Sequence, residues 1–491
     1  VNRLPQALAG AMARVTDAAL GPYQSAVIRI GFSLTWLLFL LREFPHRQEL
    51  YGPDGPWSWT LAEQLVASNG SFTALLWSDG QGWFEAVYAL AALWSLLLLL
   101  GWRTRTMSVL FMVGVLSLQN RSVFMGDGGD NVLHLMAIYL VFTRCGQVWS
   151  LDARRARRTA EARARGERPR DRVGPVLWCV LGLLLALVTS AGRMDGDWFI
   201  PALLWTVWLA QAVWWLAGRR AGAWQPRILL DVVANIVHNG ALLVIMAEAC
   251  LIYATAGWYK VQGSRWQDGT AVYYPLHLEY FSPWPTLADL LSASGTVVML
   301  VTYATVAVQV AFPFTLFNRR VKNVLLTFMI LEHAVIAVVL GLPFFSLAMI
   351  AADAVFLPTS FLRRLGGLVT RASGRLRPRG GPATAPEPRR RHPGARPEPA
   401  DPTAKDPAAK DSAAAPVAPD PAAKALAAAP VAPDPAAKAP AAAPVAADPV
   451  PQDPVVADPS PRNRAATGFP GAAQEPGDAA PAPEGAPPPR T

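Results

Sequence analysis

About ten mostly apolar runs recur along this chain, at 26–42, 84–101, 106–122, 131–147, 174–191, 199–217, 235–256, 295–317, 323–340 and 343–358. A helix that crosses a bilayer needs about 20 such residues. No soluble fold hides this many of them, so the sequence predicts an all-α polytopic membrane protein with about ten transmembrane helices. The first run is too long for the apolar segment of a signal peptide. Charged residues make up 16% of the 491, against roughly 25% in an average soluble domain.

The cations sit between the runs. Arg103 and Arg105, nine Arg between Arg154 and Arg172, Arg219, Arg220 and Arg227, then Arg319, Arg320 and Lys322 each occupy a short connection. With the N-terminus inside, a ten-helix count puts all of these and Arg363–Arg364 on one side, as the positive-inside rule asks. Both termini are therefore predicted to be cytosolic, in a multi-pass protein of the cell membrane. The net charge of +9 thus points to the lipid bilayer as partner, with a polybasic lipid contact at 154–172. Nucleic acid is not expected, because no recognition module accompanies the charge.

Composition changes abruptly after the last run. Of the 44 Pro, 29 lie in 371–491, and none of the 18 Trp does. AAAPVAPDPAAKA at 413–425 returns at 427–439, and AAAPVAADP follows at 441–449. Such Ala-Pro-Asp-Lys repeats bury too little to offset chain entropy, so a disordered tail is predicted over 366–491. The remainder divides into an N-terminal cytosolic segment, 1–25, and a transmembrane domain, 26–365.

Ionisable groups at membrane depth are costly and mark sites. Here they are Arg29, His134, His238, Glu248, Glu332, His333 and Asp353, with Asn131, Asn235 and Asn239 adding neutral polarity. His238 and Glu248 lie ten residues apart, about 80° apart in rotation, so both can face the bundle interior. As a set these residues predict a polar interior cavity. Phosphate-binding, dinucleotide, HExxH and CxxC motifs are absent. GDGGD at 126–130 reads as a tight turn, and Cys145, Cys179 and Cys250 are too dispersed to hold a metal. No metal is predicted.

YATAGWYKVQGSRWQDGTAVYY at 253–274 stands apart. It closes an apolar helix and places Lys260 at the bundle mouth among Trp258, Tyr259 and Trp266. A lysine in apolar surroundings can lose its proton and act as a base; an interfacial lysine can also simply extend its charge to water.

Together with CGQVWSLD at 145–152 and Arg29 in the first run, this stretch resembles the horizontally transferred transmembrane (HTTM) domain. That family includes the membrane region of vitamin K-dependent gamma-carboxylase. The likeness spans roughly 20–365. It is carried by Ala256, Gly257, Lys260, Trp266 and Gly269 and by WSLD at 149–152, with 153–230 as an insertion of an Arg-rich loop and a helix pair. It implies Lys260 as the base that deprotonates reduced vitamin K or menaquinone, and His333, before Phe344–Phe345, lining the same site. Trp258, Tyr259, Trp266, Glu248, His238 and Arg29 would form the quinone pocket. Two classes of function stay open: oxidation of a reduced naphthoquinone at the outer face, with a peptide or protein substrate there, and a non-catalytic factor for peptide maturation or export, transport or scaffolding.

Overall fold

A chain this apolar must satisfy its backbone polar groups within itself, and local helices do so most directly. The computed structural model describes residues 3–376 apart from 123, 125, 127, 168, 195–197 and 220–224, and it is all-helical among them. The tail predicted to be disordered from 366 is helical as far as Leu376, because the last described helix runs on past 365, and from 377 onward it lies outside the described residues.

The chain opens with α1 (Arg3–Asp17) and α2 (Pro22–Glu43). Two short helices, α3 (Arg47–Tyr51) and α4 (Trp59–Asn69), lead to α5 (Gln81–Leu100), α6 (Thr104–Gln119) and α7 (Gly128–Val141). The Arg-rich α8 (Leu151–Ala164) precedes α9 (Val173–Ser190), α10 (Phe199–Arg219) and the long α11 (Gln225–Gln262). Short helices α12 (Ser264–Gln267), α13 (Tyr273–Leu276) and α14 (Pro285–Ser292) carry the aromatic segment. Helices α15 (Gly295–Ala311), α16 (Arg319–Val339), α17 (Pro343–Asp353) and α18 (Thr359–Leu376) complete the described chain.

Each of the ten apolar runs contains a helix, the run at 131–147 only as far as Val141, but fewer than ten of these helices have the length of a span. Among the described residues seven helices are long and apolar enough to cross a membrane, or eight if Pro343–Phe356 and Thr359–Val369, bent by 118°, form one broken span. The shortfall falls on α6, α7 and α17. They are 16, 14 and 11 residues long and pack in the interior with α2 and α5. A helix enclosed by protein can be apolar without reaching across a bilayer. Small residues set these contacts: a Cβ on Gly31 of α2 would lie 2.4 Å from that of Ala351 on α17, and one on Gly114 of α6 would lie 3.1 Å from that of Ala91 on α5. GDGGD is not only a turn, since Gly128 starts α7.

The helix pair within 153–230 is peripheral. Its members α9 and α10 are joined by a Trp178–Trp208 stack, ring centroids 4.2 Å apart. Each indole Nε1–H donates to the other residue's carbonyl at 3.0 Å. WSLD forms a tie between connections. Ser150 caps α8 by accepting from the Ala153 amide, and the Asp152 carboxylate accepts from the amides of Arg103 and Thr104, capping α6 from outside it. Arg103 and Trp149 take positive φ, 48° and 51°, in this knot, a conformation a non-Gly residue keeps only where surrounding contacts hold it.

Candidate functional site

Gly257 decides where Lys260 goes. A Cβ there would sit 2.7 Å from the Val310 side chain and 3.2 Å from its backbone nitrogen, so only glycine lets α11 and α15 come this close. Less than one helical turn later, Lys260 Nζ donates to Gln309 Oε1 of α15 at 2.7 Å. The same amide donates from Nε2 to Glu332 Oε1 of α16, also at 2.7 Å. Gln309 thus joins a cation and a carboxylate through one oriented amide. Gly269, at φ 78°, turns the chain back beside Met299 and Tyr303 of α15. That turn helps hold α12, whose Trp266 presents its ring 5.2 Å from Lys260 Nζ.

These groups line one wall of a cavity of about 680 Å³ bounded by α11, α15 and α16, with Ala256, Trp266 and Phe345 among its lining residues. Most of the lining is aliphatic, supplied by residues such as Val301, Val308 and Ile336. A second polar set meets the cavity through Tyr253 and His333. The Tyr253 hydroxyl donates to Asp353 Oδ2 at 3.0 Å and lies 3.1 Å from His333 Nε2. With its one proton directed at Asp353, the tyrosine oxygen accepts from His333 Nε2–H. His333 Nδ1 is then an acceptor, and it has no partner, as is also true of Asp353 Oδ1. Buried acceptors without partners are uncommon and call for a ligand, water or proton. With aliphatic walls and Lys260 and Glu332 on its lining, the cavity can receive a flat or chain-like apolar molecule bearing hydroxyl groups, inside the size range usual for small-molecule sites.

Lys260, Trp266 and His333 are brought together here. Five other expected members are not. Arg29 is fully buried and does not line the cavity. Its guanidinium donates to the carbonyls of Leu98, Leu99, Cys145 and Trp149, closing the end of α5 against the loop before α8. His238 is equally committed. The Arg144 amide donates to its Nδ1 at 2.9 Å, so Nε2 carries the proton and donates to Leu20 O at 2.8 Å. Asn235 and Asn239 bind the end of α1 beside it.

His238 does face the interior, as its rotation allowed, but rise along α11 keeps it and Glu248 out of the cavity lining. They precede Lys260 by 22 and 12 residues, about 33 and 18 Å along α11 at 1.5 Å per residue. Glu248 is half-buried and does not line the cavity. Trp258 and Tyr259 face outward, 64% and 74% exposed, because helical periodicity turns them away from the side that meets α15.

Gln309, Glu332, Tyr253 and Asp353 belong to the site although sequence reasoning did not select them for it. Glu332 and Asp353 carried the signal of an ionisable group in an apolar run. Gln309 carried a weaker one, a lone amide in GTVVMLVTYATVAVQVA. No protein-family model matches this chain, and no curated protein or solved structure was found similar to it.

Proposed function

We propose that this chain is an HTTM-type integral membrane protein that binds a reduced naphthoquinone in the α11–α15–α16 cavity and takes a proton from it with Lys260. The observation that carries the reading is the convergence of Lys260 and His333 on one largely aliphatic cavity. Aliphatic walls suit an isoprenoid-bearing ring, and Trp266 and Phe345 offer aromatic faces to it. His333 lines the wall with Nδ1 enclosed and unpartnered, and a turn of its ring would bring that acceptor to one quinol hydroxyl. The Lys260 amine, in its unprotonated form, accepts the proton of the other and becomes an ammonium. Glu332, linked to it through Gln309, then faces the new positive charge. Dioxygen is the oxidant for the deprotonated quinol, as the carboxylase likeness implies.

The direct test is purification in mild detergent, followed by solvent extraction of the protein and anaerobic titration with reduced menaquinone. Co-extracted quinone, or saturable quinol binding lost in Phe345→Trp, which fills the cavity, is the expected result. Absence of both would reject the quinone assignment and favour a non-catalytic membrane role.

Sidedness belongs to the same proposal. The Arg-rich connections gather at the end of the bundle where Arg29 and His238 bind adjacent residues, Cys145 and Arg144. Lys260 lies toward the other end of α11. Placing the Arg-rich end in the cytosol puts the cavity mouth outside. In a background lacking the native cysteines, Arg265→Cys is expected to react with an impermeant thiol reagent on intact cells and Arg158→Cys to be shielded. The reverse pattern would invert the topology.

A further inference from the structure

A second cavity, of about 760 Å³, lies between α6, α8 and α10, and five arginines line it: Arg103, Arg105, Arg144, Arg155 and Arg163. Its charges are not balanced by the protein. Asp171 forms a two-pronged ion pair with Arg103. The Arg103 guanidinium holds that carboxyl at about 2, well below the usual carboxylate range, so the pair stays ionised near neutral pH. Asp152 meets Arg155 at 2.9 Å. Asp231 is divided between Arg144 at 3.4 Å and Arg227 at 4.0 Å. Among the described residues nothing acidic pairs with Arg105 or Arg163.

Arg105 also has a like-charged neighbour. Its guanidinium lies 4.4 Å from the Trp214 ring centroid, and that of Arg144 lies 5.8 Å from the same ring. Two cations gathered at one indole repel each other, and the nearby acids, Asp231 and Asp152, are already engaged with Arg227 and Arg155 as well. Threonine, glutamine and Asp152 side chains complete the α6 and α8 walls, while α9 and α10 supply Leu177, Trp214 and Trp215 beside Gln211. These helices are among those apolar enough to cross a membrane, and many of their large side chains are exposed on the bundle surface, including Val176, Leu183, Leu209 and Leu216. A cationic cleft at the end of lipid-facing helices combines the two contacts a phospholipid offers.

We propose that this cleft binds the phosphate-bearing headgroup of an anionic phospholipid, with Arg105 and Arg163 as the uncompensated phosphate donors and the α9–α10 face receiving the acyl chains. Arginine suits the task because its planar fork donates to two phosphate oxygens at once. The site is separate from the Lys260 cavity, and the proposal does not depend on the quinone reading.

The test uses the full chain in detergent and native mass spectrometry, titrating phosphatidylglycerol and phosphatidylcholine of equal chain length. A second arm adds inorganic phosphate. Wild type is expected to hold phosphatidylglycerol at least about tenfold more tightly than phosphatidylcholine. The Arg105→Gln/Arg163→Gln double variant should lose about 30-fold, roughly fivefold per cation near a lipid surface. Arg158→Gln removes the same unit charge from a position on α8 that does not line the cleft and should change affinity by less than about twofold, since screened charge outside the site contributes little.

Equal retention of the two lipids by wild type would overturn the proposal. So would a double variant that binds like wild type, or displacement of the lipid by inorganic phosphate at equal concentration, which would mark a free-anion site. Should the double variant fail to fold, the wild-type lipid comparison and the phosphate arm still decide.

Discussion

Lys260→Ala and Lys260→Arg are both expected to reduce oxygen-dependent oxidation of menaquinol by about 10²- to 10⁴-fold, the usual contribution of a positioned proton acceptor. Arginine keeps the charge and much of the reach but cannot give up its proton in this range. It therefore separates a base from a lysine that only carries charge to the interface, for which the same exchange would be nearly silent. Alanine also leaves Gln309 Oε1 without its donor, at a cost of about 1–3 kcal/mol. A thermal-melting comparison keeps that loss distinct from lost chemistry, and a small primary amine added externally should partly restore the alanine variant. Equal turnover by wild type and both variants would remove Lys260 from the chemistry. Retained quinol binding without turnover in wild type would leave a binding protein instead of an oxidase.

Arg29→Met should have the largest effect on folding. It removes a buried side chain that donates to four carbonyls on two separate segments, 98–99 and 145–149. Those carbonyls would remain enclosed without donors. A buried acceptor stripped of its donor costs about 1–3 kcal/mol, so several together are a large share of an ordinary stability margin. Arg29→Lys should recover only part of it, because a single ammonium cannot reproduce the planar fork. The expected readout is loss of the monodisperse peak in size-exclusion chromatography after detergent extraction, complete for methionine and partial for lysine. An unchanged melting profile for Arg29→Met would show that these carbonyls find other donors.

The two substitutions differ in how visible they were from sequence. Lys260 stood out through its neighbours: Gly257, Trp266 and Gly269 lie within ten residues of it, and each has a local consequence in a close helix approach, a ring over the amine or a turn. Arg29 carried only the general signal of a charge in an apolar run, which fits a pocket and a structural tie equally well. Its partners lie 69 to 120 residues away, and no periodicity connects them. His238 misled for a related reason. Rotation about a helix can be counted from residue spacing, and it allowed His238 a place in the interior. Its partner at Leu20 is 218 residues distant, and that contact, with the rise along α11, puts it at the other end from Lys260.

What the sequence by itself determined is the helical class, the apolar character that suits a bilayer and the approximate place of each apolar helix. Backbone hydrogen bonding in an apolar chain is satisfied locally, so composition over about 20 residues suffices. Which helices have the length to reach across is visible only in the structure, where α6, α7 and α17 are short and packed against other helices. The candidate site divides in the same way. Lys260, Trp266 and His333 could be read from the chain, whereas the Lys260–Gln309–Glu332 bridge and the Tyr253–Asp353 contact arise only where α11, α15, α16 and α17 meet. A hydrogen bond between side chains on different helices depends on crossing position and rotation together. Those are set by the whole interface, through contacts such as Gly257 against Val310, and no single segment contains them.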